Sequence, residues 1–388
     1  MIPFNKPAVT GLELTYIKEA IASGHISGNG AFTRRCHELI KDMFGFREVL
    51  LTPSCTAALE IAAMLCNFRP GDEVILPSFA HPGTANAFVR AGAKLVFADC
   101  LSHHPNVDPV SIERLLGPGT RAIVAIHYAG VAVEMNRLKE IARARNLLLI
   151  EDAAHALGAR YMDKYLGSWA DFGTVSFHET KNINCGTGGM LILNRSDFIE
   201  PAIQIWNQGT NRRDFENGQV PFYTWTTAGG AFQLSDLNAA YLYPQLLKFE
   251  EISARRLRLW QLYYDQLKPL EPEGCFKVPS VGENTQHNAH IFYLLLKNNA
   301  LRNDLRQYLN DRGYHAVTHY IPLHGSPFGK HNAQSSLPNC EKIADCIIRL
   351  PLFDSLSTQT VMDIVQTIKS WQDSQPLTVG QHCSAPKV

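Results

Sequence analysis

Arg121-Ala-Ile-Val-Ala-Ile and, further on, Leu147-Leu-Leu-Ile-Glu-Asp carry apolar side chains on successive positions rather than alternate ones. That pattern suits strands buried on both faces of a parallel sheet. Between them Leu138, Ile141, Ala142 and Arg145 recur at helical spacing, and Asn146 is placed to stop the helix. Upstream, Val49-Leu-Leu-Thr precedes the Ala-rich Thr56–Cys66, Glu73-Val-Ile-Leu precedes Thr84–Ala91, and Lys94-Leu-Val-Phe follows. The expected fold class is therefore α/β, a large, mostly parallel sheet with helices on both sides.

Downstream, Gly186-Thr-Gly-Gly leads into Met190-Leu-Ile-Leu, a further strand. The segment Asn207–Gln233 is rich in Gly, Asn, Arg and aromatics and has no period; a loop of that length usually carries function or reaches a partner subunit. From about Gln245 the character changes. A long amphipathic stretch, Leu246–Leu267, leads through a Pro- and Gly-bearing connection to Ala289-His-Ile-Phe-Tyr-Leu-Leu-Leu, a helix near Arg302–Arg312 and the loop His319-Tyr-Ile-Pro-Leu-His-Gly. The expected division is a large α/β domain over residues 1–245, a smaller α+β domain over 246–374 and a flexible tail over 375–388.

Ligands of such sheets bind beyond the carboxyl ends of the strands, where Asp152 stands. Lys181 follows the short run Thr174-Val-Ser-Phe-His-Glu-Thr. An aldehyde cofactor needs a primary amine, and its pyridinium nitrogen needs a nearby anion, so the two residues together could hold pyridoxal phosphate. Each alone has a plainer reading, a solvated surface lysine and a helix-capping aspartate. In Thr52-Pro-Ser-Cys-Thr-Ala-Ala-Leu a strand turns straight into a helix. Ser54 and Thr56 there can cap the helix or, with its dipole, bind a phosphate.

The 388 residues are 45% hydrophobic and 19% charged, with 36 basic and 36 acidic side chains. Such balance gives no global field for nucleic acid or an anionic membrane. No basic N-terminal segment leads into an apolar signal core, and no window approaches the roughly 18 apolar residues of a membrane span. The protein is expected in the cytoplasm. Its nine cysteines show no metal-like spacing, so reduced thiols and no metal site are expected.

Taken together, Ser27-Gly-Asn-Gly, Thr52-Pro-Ser-Cys-Thr-Ala-Ala-Leu, Glu151-Asp-Ala-Ala-His, Ser176-Phe-His-Glu-Thr-Lys-Asn and His319-Tyr-Ile-Pro-Leu-His resemble the DegT/DnrJ/EryC1/StrS nucleotide-sugar aminotransferases, over about Ile2 to Leu352. The resemblance implies an aspartate-aminotransferase-like fold (PLP fold type I) and a homodimer with shared active sites. It also implies transfer of an amino group from L-glutamate to a nucleotide-linked 4-keto-6-deoxysugar for surface polysaccharide.

By matching position, Lys181 is similar to the Schiff-base lysine, Asp152 to the partner of the pyridine nitrogen, and His155 to the residue near the ring hydroxyl. Ser54, Cys55, Thr56 and Ser176 would hold the cofactor phosphate. Tyr320 and His324 would face the sugar; Tyr128 and His319 are candidates equally suited to packing. Arg212 and Arg213 are candidates for pairing with a diphosphate from the partner subunit.

Three positions depart from the pattern. His81 stands where relatives stack an aromatic ring on the cofactor, and Phe79 beside it reads as core. Gly186-Thr-Gly-Gly lacks an acidic residue before the paired glycines. Ala231 and Gln233 replace an Asn and an Arg, the former reaching the neighbouring subunit's cofactor phosphate. Two alternatives stay open, amination at the sugar's third carbon and a catalytically weak cofactor-binding paralogue. Dehydratases of the family carry histidine in place of the lysine, whereas Lys181 is present.

Overall fold

The computed structural model describes residues 1–272, 274–331 and 336–375. Apart from Gln375, the expected tail lies outside the described residues.

Seven strands form the main sheet: β1 (Glu48–Thr52), β2 (Glu73–Pro77), β3 (Lys94–Ala98), β4 (Thr120–Ile126), β5 (Leu148–Asp152), β6 (Phe172–Ser176) and β7 (Gly189–Leu193). Their order is β1-β7-β6-β5-β4-β2-β3, and only β7 runs against its neighbours. Register places Ile126 and Thr174 beside Asp152, and Gly189 between Thr52 and Ser176. The carboxyl ends of β4, β5 and β6 thus form one edge.

The apolar runs explain the layers. In β1, Val49 and Leu51 enter one core while Leu50 enters the other; in β4, Ile123 and Ala125 oppose Ala122 and Val124. Each strand is buried on both faces, so a run without alternation is what the sheet needs. A third core, from Leu259 to Trp371, surrounds a three-stranded sheet of Phe276–Lys277, Tyr293–Leu296 and Ile347–Arg349. Ile2 bridges to Tyr314, so the chain's first residues lie against this C-terminal core.

The helix expected before Asn146 spans Met135–Arg145, and Asn146 ends it at φ 51°. Other expectations are modified. The stretch Leu246–Leu267 is not one helix: the chain breaks at Lys248, between Asp236–Leu247 and Phe249–Leu267. Within the apolar run Ala289–Leu296, to which the sequence assigned no element, Tyr293–Leu296 pairs as strand. The carbonyls of Ala289 and His290 accept instead from Arg256, and that of Ile291 from Trp260. The segment Asn207–Gln233 contains a short helix, Arg212–Glu216, and folds back through a Thr210 to Trp225 bridge.

The Ser27-Gly-Asn-Gly motif has a structural role. Asp236, fully buried, accepts hydrogen bonds from the amides of Phe32 (3.1 Å) and Thr33 (2.7 Å) and from the Thr33 hydroxyl (2.9 Å), capping the helix Ala31–Phe44. A Cβ on Gly30 would lie 2.3 Å from the Asp236 carboxyl carbon, so only glycine admits this approach. Asp236→Ala leaves those donors buried without an acceptor. Urea unfolding should show a loss of about 2–4 kcal/mol.

Candidate active site

Alternation along β5 separates two acids. Glu151, on one face, accepts from the amides of Gly167, Trp169 and Ala170 and pairs with His127 at 3.0 Å, fixing the 167–170 loop. Asp152, on the other, lines a cavity of about 380 Å³. Its Oδ2 accepts from the Thr84 hydroxyl at 2.7 Å and its Oδ1 from the Ala154 amide at 3.1 Å.

Lys181 enters the same cavity from the loop joining β6 to the antiparallel β7. Buried amides pin that loop: Asn182 donates to the Asn288 carbonyl at 2.7 Å, and the Asn184 amide donates to Gln245 at 2.9 Å. No acceptor among the described residues pairs with the Lys181 ammonium. Burial and the charge of Arg349 pull its pKa down to about 8, against the opposing pull of Cys55 and Asp152.

At the cavity's far end, β1 turns into the helix Cys55–Leu65. The Ser54 hydroxyl accepts from the Ala57 amide at 3.0 Å, so Ser54 is the cap that the sequence allowed. No acceptor among the described residues meets the amides of Cys55 and Thr56, and Gly189 passes so close that a Cβ would sit 2.3 Å from the Cys55 nitrogen. The result is an exposed helix N-terminus, open to an anion. Ser176 and Thr187 line the cavity between this end and Lys181.

His81 lines the cavity and caps the helix Pro82–Arg90, its Nδ1 accepting from the Gly83 amide at 3.0 Å. Burial and the nearby Lys181 lower its pKa. With Nδ1 accepting, a ring that holds one proton carries it on Nε2. His155 packs against His290 with ring centroids 4.4 Å apart, and burial holds its pKa well below the ordinary value.

Of the substrate candidates, the structure brings Tyr320 and His319 to the cavity. Tyr128 is buried behind it, edge-on to Phe79, His155, Tyr293 and Tyr320. His324 is a tie between Ser78, at 2.6 Å, and Glu341, at 3.1 Å, and does not line the cavity. Arg212 pairs with Glu216 and Arg213 with Glu200 on the exposed loop, both away from the cavity within this chain. Phe79 is core, 1% exposed. Gln233 donates to Asn207 at 3.0 Å. Sequence reasoning gave no role to Thr84, His290 or Arg349, which reach the site from other elements; no local pattern marks them.

An amine without a partner and a strand-end carboxylate thus line one cavity at the carboxyl edge of a mostly parallel sheet, and the fold is that of the fold type I aminotransferases. The chain belongs to the DegT/DnrJ/EryC1/StrS aminotransferase family, which it matches over residues 7–369. The uncharacterized protein MJ1066 of Methanocaldococcus jannaschii is 29% identical over 377 residues, 95% of this chain and 97% of its own. Among solved structures, aminotransferase TlmJ of Streptoalloteichus hindustanus is similar at TM-score 0.87 and 27% identity, covering 95% of this chain and 98% of its own. DesV of S. venezuelae is similar at 0.89 and 26%, covering 97% and 99%.

Aminotransferases of this family use pyridoxal phosphate. The residues present fit that group: an unpaired amine, an oriented carboxylate and a helix N-terminus whose amides lack acceptors surround one cavity. Among the described residues no helix is long and apolar enough to cross a membrane.

Proposed function

We propose that this protein transfers an amino group from L-glutamate to TDP-4-keto-6-deoxyglucose, giving a TDP-4-amino-4,6-dideoxyhexose for surface polysaccharide. The observation that carries the aminotransferase chemistry is the presence of Lys181 and Asp152 in one cavity. The sugar reading is supported by family membership and by Met1-Ile-Pro-Phe-Asn, Phe32-Thr-Arg-Arg-Cys, Ile126-His-Tyr-Ala-Gly-Val-Ala and Tyr320-Ile-Pro-Leu-His-Gly, which resemble transaminases of that substrate.

When bound, pyridoxal phosphate supplies an electrophilic carbonyl carbon and a ring that spreads negative charge. The chain supplies the rest. The amides of Cys55 and Thr56, with the Thr56 and Ser176 hydroxyls, would hold the phosphate. Asp152, oriented by Thr84 and the Ala154 amide, would keep the ring nitrogen protonated. Lys181, with its pKa near 8, can take and return a proton at Nζ at physiological pH. The buried rings of His155 and His290 close one side of the cavity against water.

The working unit in this reading is a homodimer. Phe222 and Trp225, 69% and 78% exposed on the Asn207–Gln233 loop, are apolar surface of the kind a second copy covers. The large and small domains, 1–245 and 246–374, would each contribute one wall of the site.

A panel of TDP- and UDP-keto sugars, offered with glutamate to the cofactor-loaded protein, tests the substrate, with NMR giving the product's configuration. Amination of TDP-4-keto-6-deoxyglucose at carbon 4 is expected. Conversion only of 3-keto sugars would overturn the regiochemistry, and no spectral response to glutamate would favour the binding-only alternative.

The amine pKa yields a second prediction. Only neutral Lys181 attacks an aldehyde, and its fraction rises with pH up to the pKa. The rate of cofactor capture by apoprotein should therefore climb about tenfold per pH unit below 8 and level off above it. Stopped-flow absorbance reads that profile; a rate flat from pH 6 to 9 would contradict it.

A further inference from the structure

The cavity of Lys181 opens at the carboxyl edge of the main sheet. At the opposite edge, where β5 and β6 begin, lies a separate cavity of about 430 Å³ that shares no lining residue with the first. Leu149 lines it three residues before Asp152, so about 10 Å of strand separates the two linings. Four cations meet there: Lys139 and Arg143 from the helix Met135–Arg145, Lys164 from the hairpin that follows β5, and Arg195 just after β7. Asp171 is the one acid among the described lining residues. It pairs with Arg195 at 3.4 Å and accepts from the Leu149 amide at 2.8 Å, and Asp197 also pairs with Arg195, at 2.5 Å. Glu140, between Lys139 and Arg143 in sequence, pairs with Arg137 at 3.2 Å. Among the described residues no carboxylate pairs with Lys139, Arg143 or Lys164.

Packing gathers these charges. The Nζ atoms of Lys139 and Lys164 lie 5.5 and 5.4 Å from the centroid of one ring, that of Trp169. Burial and the Lys139 charge lower the Lys164 pKa, against the opposing pull of Glu151. The helix dipole favours Arg143, in the last turn, but accounts neither for Lys139, a turn earlier, nor for Lys164, from another element. Like charges held around one cavity cost free energy that a bound anion recovers.

Charge and shape select the ligand. One carboxylate would leave two of the three unpaired cations unanswered, whereas a guanidinium fork and two mobile ammonium groups match the several oxygens of linked phosphates. Leu147, Leu149 and Trp169 line the same cavity and offer apolar surface beside the charges, and its volume is that of a small-molecule site. We propose that this cavity binds a diphosphate group, free or carried by a nucleotide whose base lies on the apolar wall. The site is distinct from the cofactor cavity, and the inference goes beyond the aminotransferase reading without resting on it.

The test titrates wild type and the Lys139→Ala/Arg143→Ala double variant, both loaded with pyridoxal phosphate, with inorganic diphosphate and with thymidine diphosphate in a calorimeter. The Kd of this site should rise about 100-fold in the double variant. Lys139 is half-buried and Arg143 exposed, so the thermal midpoint should not move and amino transfer should stay within about twofold of wild type. Tryptophan emission should respond to diphosphate in wild type and not in Trp169→Phe, which places the ligand at this edge. Tighter binding of thymidine diphosphate than of inorganic diphosphate supports the site with a nucleotide as the source; equal affinity supports it with free diphosphate. Equal affinity of wild type and double variant for both probes, or no binding to wild type below about 1 mM, overturns the site.

Discussion

Lys181→Ala is expected to reduce amino transfer by on the order of 10⁴-fold or more, and to remove the protein-attached chromophore of the bound cofactor. The loss should not come from unfolding. Burial and Arg349 disfavour the ammonium in the folded chain, so its removal should leave the thermal midpoint unchanged or slightly higher. Lys181→Arg keeps a cation but offers no primary amine, and it should not restore the chromophore. Borohydride reduction followed by peptide mass spectrometry decides the assignment. A cofactor mass attached to wild type at residue 181 and missing from Lys181→Ala supports it; a mass retained on the variant moves the attachment elsewhere.

Asp152→Asn is expected to lower kcat by about 10²–10³-fold while the fold persists. The substitution keeps side-chain volume; the amide oxygen can accept from the Ala154 amide while its NH2 donates to the Thr84 hydroxyl, which can turn to accept. It removes the anion. The stability change should stay within about 1 kcal/mol in urea, which separates an electrostatic role from a structural one. Thr84→Val supplies a graded comparison. It removes one of the two hydrogen bonds that orient the carboxylate and leaves the Ala154 amide, so a loss nearer tenfold is expected. Wild-type turnover in Asp152→Asn would end the assignment of this residue as the ring's counter-ion.

Several parts of this molecule were legible before folding because their causes are local. The unalternating run in β4 reports burial on both faces, the αL conformation at Asn146 follows from its short polar side chain, and Ser54 precedes an Ala-rich segment as a cap should. Asp152 and Lys181 were legible for a related reason. A strand-end acid must lie at the sheet's carboxyl edge, and the lysine follows another strand of the same sheet by a few residues.

Other features depend on partners distant in the chain. His324 reads as a sugar contact in its motif, yet Ser78 and Glu341 take both of its ring nitrogens. Ala289–Ile291 has the composition of a strand, but side chains from the preceding helix take its carbonyls. Asp236, the first residue of its own helix, also caps one some two hundred positions earlier.

By itself, the order of apolar runs determined a sheet covered on both faces, and residue chemistry determined that an amine and a carboxylate stand at its edge. Both follow from forces acting within a few residues: periodic burial and the direction of a strand. Only the tertiary structure decided that Thr84 orients the acid, that His324 is a structural tie, and that Arg349 reaches the lysine's cavity. Desolvation and hydrogen-bond satisfaction are properties of the packed environment, and that environment exists only once distant segments meet.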